Sequence, residues 1–588
     1  MLDLASQLAE VCREAFVHEG LDPKWGEVKR SDRPELADFQ CNGCMGAARQ
    51  AGLNPRQLAH TIAPHLAAHA MIDRVDVAGP GFLNMTITSA ALSRHAEAIA
   101  SDDKAGGLTV DPSETLVIDF GGPNVAKPMH VGHLRSAVIG DTLVRLMRFV
   151  GHRVIGDVHL GDWGLQMGLL IIAVQDEQPG LVYFAEDAAA PFPEVSPVTM
   201  EDLSRLYPMA SARSKSDEAY AERARHAVAQ MQAGRAGYRA LLQHFIQVSV
   251  AALKTDYAFL DVDFDLWKGE SDVDHLIAPM VTDLKSRGLV YLDAGAWIMD
   301  IARDTDTKDM PPFMLVNSRG ATGYHATDLA TLADRAETLQ PDRVIYVVDQ
   351  RQAFHFEQVF RASEKTGLFT SDRLEHIGFG TVNGSDGKPF KTREGGTLRL
   401  ADLNALALDE AKRKIAQTGL SQDVSAQAGD GIARLVARAA LRFADLQNQR
   451  TTNYVFDLDR FTRFEGKTGP YLLYAAVRLK ALLRRADVEG LASGDVRIET
   501  EEERKLTLAL DGFALALRLA HDKRMPHYVC EHVYGLAQAF STFYAACPIF
   551  KTGIHTTVRA SRLTLCKAVL HQLVTGLDIL GISAPDRM

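Results

Sequence analysis

The stretch TLVIDFGGPNVAKPMHVGHLRS, Thr115–Ser136, decides the fold. Its first six residues, TLVIDF, are a short β-branched and apolar run suited to a buried strand. A glycine and proline turn follows, and then the pattern becomes helical. Ile139, Leu143, Leu146, Met147 and Val150 fall on one face at 100° per residue, while Asp141, Arg145 and Arg148 fall on the other. Gly151 suits the C-terminal cap. The next run, RVIGDVHLGDWG, supplies a second strand and a glycine-rich turn, completing a βαβ unit that implies a parallel sheet.

Working outward, residues 1 to about 108 read as an α+β unit, with helical patterns followed by short strands such as RVDVAGPGFLNMTIT, and the polar segment SDDKAGGLTVDPSE reads as a linker. From about Gln175 to Gly269 the chain turns polar and helical, an insertion between two halves of a nucleotide fold. The sheet pattern resumes at RVIYVVDQ and HIGFGTV, and after Leu400 nearly every segment reads as helix. The expected architecture is α/β: a Rossmann-type parallel-sheet domain at 109–400, an α+β N-terminal domain at 1–108 and an all-α domain at 401–588. A length of 588 residues agrees with a multidomain chain of roughly four structural units.

Composition sets limits. Hydrophobic content of 46% and charged content of 24% are globular values and exclude disordered and fibrous classes. The first residues, MLDLASQLAEVCREAF, lack a basic segment followed by an apolar core, and LLIIAV falls far short of the roughly 18 apolar residues of a membrane span. A cytoplasmic protein without membrane association is expected. The cysteines at 12, 41, 44, 530, 547 and 566 are too scattered for a disulfide scaffold; Cys41 and Cys44 form a lone CxxC without the further ligands that zinc needs, so structural thiols and no protein-held metal are expected. The net charge of -11 argues against indiscriminate nucleic-acid binding, yet Ala411–Lys480 holds 12 Lys and Arg against 6 Asp and Glu, a local excess of +6. That excess suits a polyanion or, equally, a solvated helical face.

In a parallel sheet, ligands bind beyond the carboxyl ends of the strands, where helix N-termini offer free N–H groups to phosphate. His130 and His133 stand at that point, and Gly132 between them has no Cβ to hold a flat ligand away. Two histidines at this spacing also permit a shared zinc, but the HExxH carboxylate is missing. Taken alone, the four residues would more often be core or surface histidines.

The context is specific. His130-Val131-Gly132-His133 after a first strand resembles the HIGH element of the class I aminoacyl-tRNA synthetases. More narrowly, PNVAKPMHVGHLRS with GDVHLGDWGLQMG, DFQCNGCM near the N-terminus, GES at Gly269–Ser271, GPYLLYAAVR and the final PDRM resemble the arginyl-tRNA synthetases over essentially the whole chain. The family's second element, KMSKS, corresponds to the divergent GKPFKTREGG, Gly387–Gly396, where Lys388, Lys391 and Arg393 supply cations. The resemblance implies that Lys127 takes part of the missing lysine's role. An amino-acid carboxylate is already ionised, so attack on the ATP α-phosphate requires alignment and donors rather than a base. Lys127, His130, His133, Lys388, Lys391 and Arg393 are therefore expected to stabilise the transition state. His130, Gly132, His133 and Lys391 are expected to hold ATP, with Mg2+ bound through phosphate and water.

Arginine carries a planar, permanently charged guanidinium that carboxylates match best. Asp119 and Asp328 are the candidates, with a cap and an exposed helix residue as their ordinary readings. The resemblance adds Asn124 and His133 at the backbone end, and Tyr324 and Gln352 around the side chain. DFGGPN places Gly121 and Gly122 where the family usually has serine, leaving one hydrogen bond to be supplied by water or lost. The resemblance further implies tRNA(Arg) as partner. Asp38, Phe39, Gln40 and Asn42 would meet the tRNA corner, Phe39 by stacking on a base or else as a core aromatic. Arg442, Asn448, Tyr454, Lys467 and Tyr471 would serve the anticodon side. A monomer is expected, as is arginine activation that depends on bound tRNA. Two other readings are a small-molecule adenylyltransferase, which needs neither terminal domain, and a catalytically silent tRNA-binding protein of synthetase descent.

Overall fold

The computed structural model describes residues 3–318, 320–384, 387, 398–418 and 426–588. They form two compact units, Val110–Arg463 and the paired segments Met1–Thr109 and Phe464–Met588.

The first unit is built on five parallel strands in the order Leu374–His376, Arg343–Val347, Thr115–Phe120, Arg153–Leu160, Leu266–Gly269. Thr115 pairs with Arg153 and Leu116 with Arg343, which puts Thr115–Phe120 in the middle. The chain steps from this strand to one side, then crosses back to the other, so the order reverses between Thr115–Phe120 and Arg343–Val347. That reversal opens a crevice at the carboxyl edge. Val117, Val344 and Tyr346 of the sheet share a core with Leu329, Phe356 and Phe360 of the covering helices. The polar helical segment lies between the second and third strands in sequence, as helices Met200–Ser216, Glu218–Gln232 and Ala236–Leu260. A small antiparallel sheet of Tyr291–Asp293, Ala296–Met299 and Phe313–Val316 precedes helix Tyr324–Thr338.

Residues 401–463, grouped by sequence with the helical end of the chain, pack within this first unit. Arg442 on helix Ala426–Leu446 is fully buried and donates to Asp141 at 2.6 Å and to the Leu260 carbonyl at 2.9 Å. Arg135 returns the link, donating to the Gly380 and Thr452 carbonyls at 2.9 Å and pairing with Asp445 at 3.1 Å. Such partners offset much of the several kcal/mol that an isolated buried charge costs to desolvate, although Arg135 Nη2 is buried without a hydrogen-bond partner.

In the second unit, strands Val28–Arg30, Phe39–Cys41, Phe82–Ile87 and Ile72–Ala78 form an antiparallel sheet in that order. Helices Leu4–His18, Gly43–Ala51 and Pro55–Ala67 close its core, in which Cys12, Cys41 and Cys44 are fully buried free thiols. The C-terminal part contributes helices Gly469–Val488, Glu501–Lys523, His527–Ala546 and Thr556–Ile579. Asp511 joins the two parts, accepting from the Leu4 N–H at 2.8 Å and lying 2.9 Å from His95. Among the described residues no helix is long and apolar enough to cross a membrane.

Candidate active site

Helix Val131–Val150 starts beyond the carboxyl end of Thr115–Phe120, beside the reversal of strand order. His130 is its N-cap, in extended conformation. His130 Nδ1 accepts from the Gly132 N–H at 3.0 Å, and His133 Nδ1 accepts from the His130 N–H at 3.1 Å. A neutral imidazole whose Nδ1 accepts carries its proton on Nε2, so each ring keeps an Nε2–H donor for a ligand. Burial lowers the pKa of His130, helped by Arg351 and Lys127. Burial, followed by neighbouring His130, pushes His133 down to about 4. Both rings are therefore neutral donors at physiological pH. A Cβ on Gly132 would lie 2.8 Å from His130 Cε1, so this glycine makes room for the histidine ring.

Lys127 is half-buried with its ammonium 4.6 Å from the Tyr207 ring centroid. It lines a cavity of about 450 Å³ with Met129, Ser249, Asp256 and Arg399. Lys388, Lys391 and Arg393 lie outside the described residues. The chain that follows them is placed: the Val131 N–H donates to the Leu398 carbonyl at 3.0 Å, and the Leu400 N–H to Met129 at 2.9 Å.

Farther along the same edge, the site changes character. Ser271 donates its N–H at 2.8 Å and its hydroxyl at 2.5 Å to the Asp162 carboxylate. Gly269 has no room for a Cβ, which would stand 2.6 Å from Asp162 Oδ2. The Trp163 N–H donates to Glu270 at 3.3 Å, and Asp328 lies 2.5 Å from His355 Nε2. Burial, opposed by His159 and reinforced by Asp162 and Asp328, pushes Glu270 up to about 7. Burial also raises Asp162, against the Ser271 hydrogen bonds. Carboxylates held this way favour a ligand that brings positive charge.

Asp119 is not free to be one of them. It is buried and accepts from Arg335 at 2.6 Å, while Arg335 also binds Asp157 at 2.6 Å. Burial raises the Asp119 carboxyl and Arg335 opposes that rise. The expectation that Asp119 receives a guanidinium is corrected: it does so, but the guanidinium belongs to this chain. Asp328 is half-buried on helix Tyr324–Thr338, one turn after Tyr324, which is 73% exposed and open to a ligand. Gln352 is exposed just before helix Ala353–Thr366, which carries His355. Asn124 is exposed where its turn meets Gly161, with the Val125 N–H donating to the Gly161 carbonyl at 3.0 Å.

The residues expected at tRNA divide in two. Phe39 is fully buried with the Arg30 guanidinium 5.2 Å from its ring, so it is a core aromatic and does not present a face to a base. Asp38 is buried against Arg504 and the Ile87 N–H, and Gln40 donates to Asn84 at 2.8 Å. Asn42 precedes helix Gly43–Ala51 with Oδ1 buried and lacking a hydrogen-bond partner. Arg442 and Tyr454 are buried in the first unit, which removes them as phosphate and stacking contacts, and Asn448 Nδ2 donates to the Ala444 carbonyl at 2.6 Å. Lys467 and Tyr471 are half-buried at the start of helix Gly469–Val488 in the second unit.

The catalytic-domain model of class I (R) tRNA synthetases matches residues 95–458. The chain belongs to the arginyl-tRNA synthetase family. The DALR anticodon binding domain matches 472–588 and the arginyl-tRNA synthetase N-terminal domain 2–87. An arginine–tRNA ligase of Hyphomonas neptunium is 60% identical and one of Maricaulis maris 53% identical, each over the full length of both chains. The solved arginyl-tRNA synthetases of Plasmodium falciparum and Thermus thermophilus share the fold, with TM-scores of 0.80 and 0.79 at 22% identity over the whole of both chains.

For an arginyl-tRNA synthetase, sequence reading named only part of the acidic end. His159, Asp162, Glu270 and His355 stand outside the residues that the sequence motifs single out, although GDVHLGDWG and GES contain three of them. The available signal was position: His159 and Glu270 stand at the carboxyl ends of parallel strands, where α/β sheets place their ligands.

Proposed function

We propose that this chain is an arginine–tRNA ligase: it joins L-arginine to ATP as arginyl-adenylate, releasing pyrophosphate, and transfers arginine to the 3′-terminal adenosine of tRNA(Arg), releasing AMP. The observation that carries the reading is the pairing, along one sheet edge, of neutral His130 and His133 donors with a Glu270 carboxyl raised to about 7 beside Asp328. The Nε2–H groups would face charge developing on the ATP α-phosphate, where preorganised donors act without reorganisation. Mg2+ would enter with ATP, held through phosphate and water. Lys127 would neutralise phosphate charge at the mouth of the site, with Lys388, Lys391 and Arg393 from the following segment.

At the other end, Asp328 and Glu270 would receive the arginine guanidinium, with Tyr324 and Gln352 beside it and Asn124 toward the α-amino end. A site of buried acceptors rejects an analogue that leaves them unpaired by as much as ~10⁴–10⁵. That would exclude citrulline and lysine without an editing domain. Lys467 and Tyr471, both half-buried, remain the candidates for tRNA among those named from sequence. We infer a cytoplasmic monomer from the family resemblance; separately, among the described residues no helix is long and apolar enough to cross a membrane.

The test is arginine-dependent exchange of labelled pyrophosphate into ATP, with and without purified tRNA, using lysine and citrulline as controls. Exchange with arginine alone among the amino acids, and only when tRNA is present, is expected. Tight tRNA binding without exchange would instead support the catalytically silent reading.

A further inference from the structure

Away from the crevice, His18, Glu19 and His65 bring one potential ligand atom each to within 4.8 Å of one another. His18 ends helix Leu4–His18, Glu19 caps that helix, and His65 lies in the last turn of helix Pro55–Ala67. His18 Nδ1 is 3.2 Å and His65 Nε2 3.1 Å from the same Glu19 oxygen. A tetrahedral ion with bonds of ~2.0–2.1 Å holds its ligand atoms ~3.3 Å apart. Two edges of such a tetrahedron are therefore already set near their working length.

The frame behind these donors is fixed by packing. Phe16, two residues before His18, and Leu66, one residue after His65, are fully buried in the same hydrophobic core. The donors themselves remain reachable: the side chains of His18 and His65 are 66% and 37% exposed, and the rings meet at 4.2 Å with a tilt of 46°. Two imidazoles and a carboxylate form a mixed nitrogen and oxygen set that zinc accepts, whereas magnesium and calcium call for oxygen ligands.

We propose that His18, Glu19 and His65 bind one zinc ion on the surface of the N-terminal segment, with water in the fourth position. The ion clips the end of the first helix to the end of helix Pro55–Ala67. The competing arrangement is ion-free, with both rings donating N–H to the Glu19 carboxylate.

Full-length protein stripped with chelator and dialysed against Zn2+ separates the two. One zinc per chain is expected, with a zinc-dependent rise in unfolding temperature. X-ray absorption of the bound ion should find nitrogen and oxygen neighbours. His65→Gln and Glu19→Gln should each weaken binding by at least ~10-fold and abolish the thermal shift, while circular dichroism of both variants stays that of the parent. Failure to bind zinc, equal affinity in parent and variants, or sulfur neighbours around the ion would overturn the site.

Discussion

The two ends of the crevice answer burial in opposite ways. At the helix start, burial pushes His133 down to about 4 and leaves a neutral donor; at the acidic end, it pushes Glu270 up to about 7 and leaves a carboxyl waiting for a cation. In both cases desolvation disfavours the charged form. Each imidazole Nδ1 and the Glu270 carboxylate accept a backbone N–H, but Glu270 also has the acidic neighbours Asp162 and Asp328. One end is satisfied by the chain itself, and on the proposed function the other would be completed by arginine.

The largest effect should come from breaking the finished end. His133→Ala removes the proposed phosphate-facing donor and also the acceptor for the His130 N–H. Loss of one preorganised donor costs ~10²–10³ in rate, so pyrophosphate exchange should fall by at least that much. Affinity for tRNA, measured by filter binding, should be unchanged. Equal loss of chemistry and tRNA affinity would sink the assignment of His133 to the transition state.

Breaking the unfinished end should act on arginine instead. Asp328→Asn would leave the proposed guanidinium facing one carboxylate fewer; truncating a fully buried charge partner costs ~2–5 kcal/mol, and half-buried Asp328 should fall toward the lower end. An increase of about 10²-fold in the arginine KM is expected, with the KM for ATP little changed. Matching losses for both substrates would mean that the two ends are not separate.

How much of this was legible in the sequence follows the same division. TLVIDF, the helix face of Ile139, Leu143 and Val150, and RVIGDVHL gave the central βαβ unit, because hydrophobic periodicity is a local signal. The His130 and His133 pair was legible because both its hydrogen bonds close within three residues. Asp119 misled because its partner Arg335 lies 216 positions away, and Arg442 misled because Asp141 lies 301 away. Residue type announces a charge, but only tertiary packing says whether that charge is already paired. Phe39 illustrates the apolar version: FQC reads equally as a displayed or a buried strand until the helices covering it are known.

The titration of Glu270 sharpens the comparison quantitatively. Its folded value of about 7 lies above the ordinary 4.5, so the folded apo protein retains a proton that the unfolded chain releases. Glu270 therefore detracts most from stability above pH 7, and the penalty fades as pH falls toward 4.5. A guanidinium should pull that proton off, so arginine affinity should rise with pH up to about 7, by as much as tenfold per unit, and then level. Calorimetry in buffers of different ionisation enthalpy should register proton release near pH 6.5 in the parent and none from this group in Glu270→Gln. The same variant should raise apo stability at pH 8 by about 3 kcal/mol while weakening arginine. A flat pH profile for arginine binding would remove Glu270 from the guanidinium site.

The smallest effect belongs to the glycines between the two ends. Gly121 has φ +78°, and a Cβ there would stand 2.8 Å from the Tyr257 hydroxyl and 3.0 Å from the Phe264 ring. Its peptide is held on both sides: its N–H donates to Ser136 Oγ at 2.8 Å and its carbonyl accepts from Tyr257 at 2.7 Å. A Cβ on Gly122 would stand 2.7 Å from the His159 carbonyl. Glycine here answers this chain's own packing. Gly121→Ser should therefore lower stability by ~1–2 kcal/mol for the left-handed conformation of a residue with a Cβ, with the close approach to Tyr257 and Phe264 adding to that loss, and leave the arginine KM within about threefold. A tighter arginine KM without loss of thermal stability would instead mean that the missing hydroxyl had weakened the substrate end, and that the turn had room for it.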